Sequence, residues 1–322
     1  MHVGIIGAGR HGSRYAAHII RDVPGLTLTA ISRRSPEGAD QAAQWGVRYH
    51  AGWQDLVCDP AVDAVIAVTT PNLNGAIVAA CIEEHKPLLV EKPLALNAGM
   101  AGEIVRQCRA AKVPLTVGHT LRYNGTIKTL KELLPRAGAL YSFRACHRLE
   151  QTPHSWLDDP EIAGAGVTLH TAVHVFDTLR HLTGQEVKRV RASIYRRHST
   201  NLEDLLFAVI EMEDGLVGTL DASKIGPART GLFEFIGEHG QLQGDQVHGN
   251  IEFIHQARVE SLHKTEPIST LVPFLHDWQQ YLTGQAPNPV SGEDGFEAVR
   301  ICEACLTSAR EDRWVELPSS AR

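Results

Sequence analysis

Short, uniformly apolar runs alternate with amphipathic stretches over the first third of the chain. The runs 3–6, 26–32, 64–69, 88–91 and 115–118 are rich in Val, Ile, Leu and Ala, and their length and boundaries predict β-strands. Between them, 11–22, 36–44, 73–84 and 97–112 carry apolar residues at helical spacing. This alternation predicts βαβ units, and strands apolar on both faces predict a parallel sheet covered by helices on each side.

After Gly118 the period changes. One long helical pattern, 166–182, is followed by longer strands at 187–198, 205–212, 216–222, 232–236 and 251–256, with a turn at Asp214 and Gly215. Alternating apolar and polar positions predict a largely antiparallel sheet. Helical patterns at 269–282 and 293–308 close the chain around a loop rich in Pro and Gly. The predicted fold is α/β, with a doubly wound parallel domain over 1–120 and an α/β domain over 121–322 built on a large, mostly antiparallel sheet.

Composition removes several classes of partner. The 322 residues suffice for about two domains. A formal charge of −6 lacks the basic excess that nucleic acid or anionic lipid selects. No apolar run reaches the roughly 18 residues a spanning helix needs, so no membrane partner is expected. The opening residues Met1 to Ile6 lack the charged and apolar regions of a secretory signal. Six scattered cysteines predict reduced thiols and a cytoplasmic location.

Gly7-Ala8-Gly9-Arg10-His11-Gly12 follows the first predicted strand and opens the first predicted helix. In that context Gly7 permits a tight turn, Gly9 admits a pyrophosphate, and Gly12 lets the helix pack closely. The helix N-terminus favours the anion. The pattern predicts a Rossmann domain that binds a dinucleotide. Where an NAD enzyme usually places a carboxylate, at the end of the second strand, stand Ser32, Arg33 and Arg34. Two guanidiniums suit a 2′-phosphate, so NADP is expected over NAD, although solvated surface charges are the plainer account of either arginine.

Glu91-Lys92-Pro93 ends another predicted parallel strand, at the edge where ligands gather. A lysine there can polarise a hydroxyl or carbonyl oxygen during hydride transfer. Taken alone, Lys92 could equally pair with a nearby carboxylate.

With Val3 to Gly9, Thr70-Pro71-Asn72, Glu91-Lys92-Pro93, Arg122-Tyr123, Gly164-Ala165-Gly166 leading to His174 and Asp177, Thr183-Gly184 and Val290 to Gly295, the chain resembles the glucose-fructose oxidoreductase, inositol dehydrogenase and rhizopine-catabolism family nearly end to end. The resemblance implies a Rossmann domain followed by an α/β domain whose open sheet forms an oligomer interface, giving a homo-oligomer, dimer or tetramer. It implies that Lys92 and His174 face the nicotinamide across the substrate, and that Lys92–Pro93 is cis. It extends the cofactor set to Thr70, Pro71, Asn72, Glu91 and Lys92, and the substrate set to Arg122, Tyr123, Trp156 and Asp177.

His170 departs from the pattern, standing where the family commonly has Asp. At helical spacing His170, His174 and Asp177 share a face, which points His170 into the same cleft with a changed role. Gly75 also stands where the family frequently has His.

The predicted reaction is reversible oxidation of a secondary alcohol of a sugar, cyclitol or related small polyol, with hydride passing to or from NADP or NAD. His174 moves the hydroxyl proton and Lys92 orients the same oxygen. Two alternatives share the scaffold: a nicotinamide-assisted glycosidase and a non-enzymatic NADP-responsive regulator. His170 and His174 have the spacing of a zinc pair, with His147 or His154 as further ligands, yet the remaining ligands are missing and no metal is expected. Cys302 and Cys305 form a CxxC inside a predicted helix, where packing is the better account. Trp156 is a cleft residue or a packing anchor; Arg122 and Tyr123 touch ligand or pack at the junction.

Overall fold

Six strands, β1 (His2–Ile6), β2 (Thr27–Ser32), β3 (Arg48–His50), β4 (Ala64–Ala67), β5 (Leu88–Val90) and β6 (Leu115–Val117), pair in the order β3-β2-β1-β4-β5-β6, every neighbouring pair parallel. The computed structural model describes residues 1–151, 155–264 and 268–318. All residues of β4 and β5 are fully buried, which is why these strands read as unbroken apolar runs. Strand order reverses between β1 and β4, the switch point at which ligands bind along the carboxyl edge of such sheets.

The covering helices are Gly12–Arg21, Glu37–Trp45, Asn74–Glu83 and Ala98–Ala111, with a short Trp53–Val57. The first buries Gly12, Tyr15, Ala16 and Ile19, a stripe at helical spacing. The longest begins at Asn97, whose side chain accepts the Met100 N–H at 2.9 Å, satisfying one of the N–H groups a helix start leaves over. β3 and Trp53–Val57 are absent from the sequence reading. β3 is three residues long with no fully buried side chain, too short for a period to show.

The second sheet contains β7 (Leu140–Glu150), β8 (Val187–Tyr195), β9 (Leu205–Met212), β10 (Val217–Gly226), β11 (Thr230–Gly237), β12 (Gly240–Asp245), β13 (Asn250–His255), β14 (Arg258–Lys264) and β15 (Val315–Glu316), in the order β14-β13-β12-β11-β7-β10-β9-β8-β15. Only the β7 and β10 pair is parallel among those described. β7 sits mid-sheet, although the sequence reading held no strand there. The helix Gly125–Leu133 is likewise new; Asn124 caps it by accepting from Thr126 N–H at 2.9 Å.

The predicted helix 166–182 is two pieces: a π-helical turn, Thr168–Ala172, and the α-helix Val173–Thr183, ended by Gly184 in the left-handed conformation. A π turn widens the helix by a residue; His170 lies in the π turn, while His174 and Asp177 lie in the α-helix that follows. Their partners below are different.

The chain divides into two compact units, Met1–Thr120 with Ser269–Phe296 and Leu121–Ile268 with Glu297–Arg322. Where the sequence reading ran one domain from 121 to the end, 269–296 packs with the first unit. Ser269 Oγ meets His18 Nε2 at 2.9 Å, Asn288 Nδ2 donates to the Leu115 carbonyl at 2.8 Å, and Val117 N–H donates to the Val290 carbonyl at 3.1 Å. The last contact covers the otherwise open edge of β6.

Cys302 and Cys305 lie buried in the helix Gly292–Glu311. Cys302 Sγ donates to the Thr168 carbonyl at 3.1 Å, and burial pushes the Cys305 thiol far up; both are packing residues. No described helix is long and apolar enough to cross a membrane.

Candidate active site

In the first unit, the chain leaving β1 turns at Gly7, whose φ is +86°; a Cβ there would lie 2.1 Å from the Val68 carbonyl oxygen. Gly12 is equally constrained, its Cβ falling 2.2 Å from the Gly7 carbonyl oxygen. Gly9 has nothing within 4 Å, the open position a pyrophosphate requires. The Ser32 carbonyl accepts from Gly7 N–H at 2.8 Å and Ala8 N–H at 3.3 Å, so β2 fixes the turn through its backbone while the Ser32 residue is buried. Among the described residues no side chain caps the following helix, and its first turn holds no acid. That end suits an anion, and the cradle fits the dinucleotide expected from the sequence.

Past β2, Arg33 turns to the next helix, its guanidinium donating to Gln41 Oε1 and Glu37 Oε2, both at 3.3 Å. Arg34 is exposed, as is Arg10 in the glycine turn. After β4, Thr70 Oγ1 donates to Asn72 Oδ1 at 2.7 Å around a buried Pro71.

At the end of β5, the buried Glu91 carboxylate accepts from the Tyr15 hydroxyl at 2.6 Å, His11 Nε2 at 2.9 Å and Lys92 N–H at 3.1 Å. Burial pushes its pKa up, but the bond and charge of His11, the Tyr15 bond and the Lys92 charge outweigh that and hold it below the usual range. Glu91 therefore faces protein donors. The Lys92–Pro93 bond is cis, as the resemblance implies. Asn74 fastens the chain beyond it: Nδ2 donates to the carbonyls of Pro93 at 3.2 Å and Leu94 at 3.0 Å, while Thr69 Oγ1 donates to Asn74 Oδ1 at 2.9 Å.

In the second unit, His174 is partly buried and its ring lies edge-on to that of His147, with centroids 6.1 Å apart. His170 is elsewhere engaged. Its Nε2 donates to the Ala163 carbonyl at 2.9 Å, which fixes the proton on that nitrogen, and the Trp156 ring meets it edge-on at 5.3 Å. Trp156 is thus a packing partner of His170. His154, weighed as a metal ligand, lies outside the described residues. Among those described, no group of three or more His, Cys, Asp or Glu is placed to hold a metal.

Asp177 and Arg122, both expected to meet substrate, form a buried forked pair, Arg122 Nε to Oδ2 at 2.9 Å and Nη2 to Oδ1 at 2.6 Å. Asp177 is fully buried, and each of its carboxylate oxygens accepts from Arg122. Removing it as Asp177→Ala should cost about 3–5 kcal/mol by leaving a buried guanidinium uncompensated. Urea denaturation measures this, and a loss below about 1 kcal/mol, the worth of an exposed pair, would contradict it. Tyr123 packs under Lys128, whose Nζ lies 4.9 Å from the ring centroid.

The Gly164-Ala165-Gly166 segment has a steric reason: Gly164 has φ +77°, and a Cβ on Gly166 would come within 1.9 Å of the Glu203 carbonyl oxygen. A cleft of about 240 Å³ opens beside it, lined by Gln151, Asp158, His170, His198, Asp204 and Lys224 among others. Asp158 accepts the backbone N–H groups of Thr200, Asn201 and Leu202; Asp204 accepts those of Arg197, His198 and Ser199. Burial raises both carboxyls, but these amides outweigh it and hold both below the usual range. Sequence reasoning missed Tyr15, Asn74 and this loop. Only Tyr15 had a signal, its i, i+4 spacing from His11.

A model of an oxidoreductase family described as having an NAD-binding Rossmann fold matches residues 1–119, and the model of that family's C-terminal alpha/beta domain matches 138–317. A 1,5-anhydro-D-fructose reductase of Ensifer adhaerens is 30% identical across 98% of this chain and 98% of its own. A myo-inositol 2-dehydrogenase of Thermotoga maritima is 26% identical, again across 98% of each. A levoglucosan dehydrogenase, solved with NADH and levoglucosan, shares the fold at TM-score 0.88 and 23% identity, covering 99% of this chain and 100% of that one.

Proposed function

Since this chain belongs to that oxidoreductase family, with its NAD-binding Rossmann domain and C-terminal alpha/beta domain, we propose that it transfers hydride between NAD(P) and a secondary alcohol or ketone of a sugar, cyclitol or small polyol. The observation that carries this reading is the glycine cradle at the switch point of the first sheet, with the Lys92 loop at the carboxyl end of β5 on the same edge. The relatives' substrates, an anhydro-sugar ketone and a cyclitol, support the substrate class.

Gly7, Gly9 and Gly12 would hold the pyrophosphate, with Arg10 and His11 beside it and Thr70, Pro71 and Asn72 along the same edge. Bound nicotinamide supplies a two-electron hydride acceptor or donor. Lys92 donates to the reacting oxygen and stabilises charge that develops there. His174 takes the hydroxyl proton in the oxidative direction and returns it in the reductive one, a task an imidazole performs near neutrality. His170, held by Ala163, lines the polar cleft that would seat the remaining hydroxyls. A panel of sugars and inositols assayed at the reduced-nicotinamide absorbance band tests the reading: net cofactor turnover with a polyol supports it, and glycoside cleavage without net change would overturn it.

NADP is favoured over NAD by the absence of a carboxylate at the tip of β2 and by exposed Arg34. Arg34→Ser should weaken NADP binding about tenfold, the worth of one charge-assisted bond, with NAD affinity unchanged. Calorimetric titration decides it, and equal losses for both cofactors would contradict the assignment.

The chain is further proposed to form a homo-oligomer through the open face of the second sheet. Phe207, Val209, Val217 and Ile236 are exposed there and occupy one face in register.

A further inference from the structure

Glu91 has no chemistry in the reaction above, yet its carboxylate divides two oxygens between two functions. Oε1 accepts from Tyr15 and His11, which lie one turn apart on the helix that opens at the glycine cradle. Oε2 accepts from the backbone N–H of Lys92 itself. The group packs on Gly118, where an added Cβ would lie 3.0 Å from its Cδ.

We propose that Glu91 is a positioning residue, a buried clamp through which His11 and Tyr15 set the backbone of Lys92 in register with the phosphate cradle. The inference rests on the reading of Lys92 as the group that polarises the reacting oxygen. Catalysis by a fixed donor depends on its placement to within about 0.5 Å, and a flexible lysine stem profits from a fixed root. The carboxylate stays charged for the reasons given above. Tyr15 stays a donor because burial, and then the Glu91 charge and bond, raise its phenol well above the ordinary value. Neither His11 nor Tyr15 is demanded by the glycine pattern, so the clamp belongs to this chain's own residues.

The test is a double-mutant cycle read in single-turnover hydride transfer. Tyr15→Phe keeps the ring and removes one donor; His11→Ala, at a partly exposed position, removes the other without threatening the core. Each is expected to lower the hydride-transfer rate about tenfold, the worth of one bond to a charged group. Tyr15→Phe should leave the KM for polyol and the Kd for cofactor unchanged. In a Lys92→Met background Tyr15→Phe should not lower the residual rate further. Equal losses with and without Lys92, or unchanged rates for both single variants, would overturn the clamp. The underlying reading fails differently, through Lys92→Met alone retaining wild-type turnover, and that result removes the clamp with it.

Discussion

Lys92→Met should lower kcat about 10²–10³-fold, the loss typical of removing one donor aimed at a developing oxyanion. Met keeps the length and apolar stem of the side chain and removes only the ammonium. The fold should survive, because Lys92 is partly exposed at the end of β5 and the turn beyond it is held by Asn74 through the Pro93 and Leu94 carbonyls. Cofactor affinity should stay unchanged, since the glycine cradle is built from β1, β2 and β4. Lys92→Arg should recover little, because a planar guanidinium cannot take the place of a compact ammonium. Steady-state kinetics with cofactor and polyol varied separately checks all of this. A variant that loses cofactor binding and keeps kcat would assign Lys92 to the cradle instead.

His174→Asn should lower kcat about 10²–10⁴-fold, the usual range for a lost general acid–base group. Asn retains a polar side chain but cannot exchange a proton near neutral pH. The pH dependence of the residual rate should flatten, because the imidazole that exchanges the hydroxyl proton is gone. His174 stands at the start of Val173–Thr183, directly after the π turn, beside the ring of buried His147. π turns recur at functional sites because the extra residue re-aims the side chains that follow. Unchanged kcat with an unchanged pH profile would remove His174 from the reaction.

Five of the six strands of the first sheet were legible because they are largely buried on both faces, and the glycine turn because it sits at a strand–helix junction, where local sterics alone dictate the residues. β7 was not. Along Leu140–Glu150 the inward positions are Phe143, Ala145 and His147, while Arg144 and Arg148 point outward to Glu234 and Asp221. Two of those three inward residues carry little hydrophobic signal. The return of 269–296 to the first unit rests on contacts such as Asn288 to Leu115, which no local period reports. At the site, Lys92 and His174 were read from motif and resemblance. The Arg122–Asp177 pair joins distant parts of the chain, and the bond from His170 to Ala163 crosses the glycine turn before the π turn, so neither shows in a local period. At His170, which departs from the family pattern, the imidazole donates to the Ala163 carbonyl, a bond that a charged carboxylate could not make.

The most direct test of the central claim, that Lys92 and His174 serve one reacting oxygen, is a crystal structure of the protein with NADP and a polyol shown to be turned over. The account predicts Lys92 Nζ and a ring nitrogen of His174 each within about 3 Å of the same hydroxyl oxygen. A bound polyol with either side chain out of hydrogen-bonding reach of the reacting hydroxyl would contradict it.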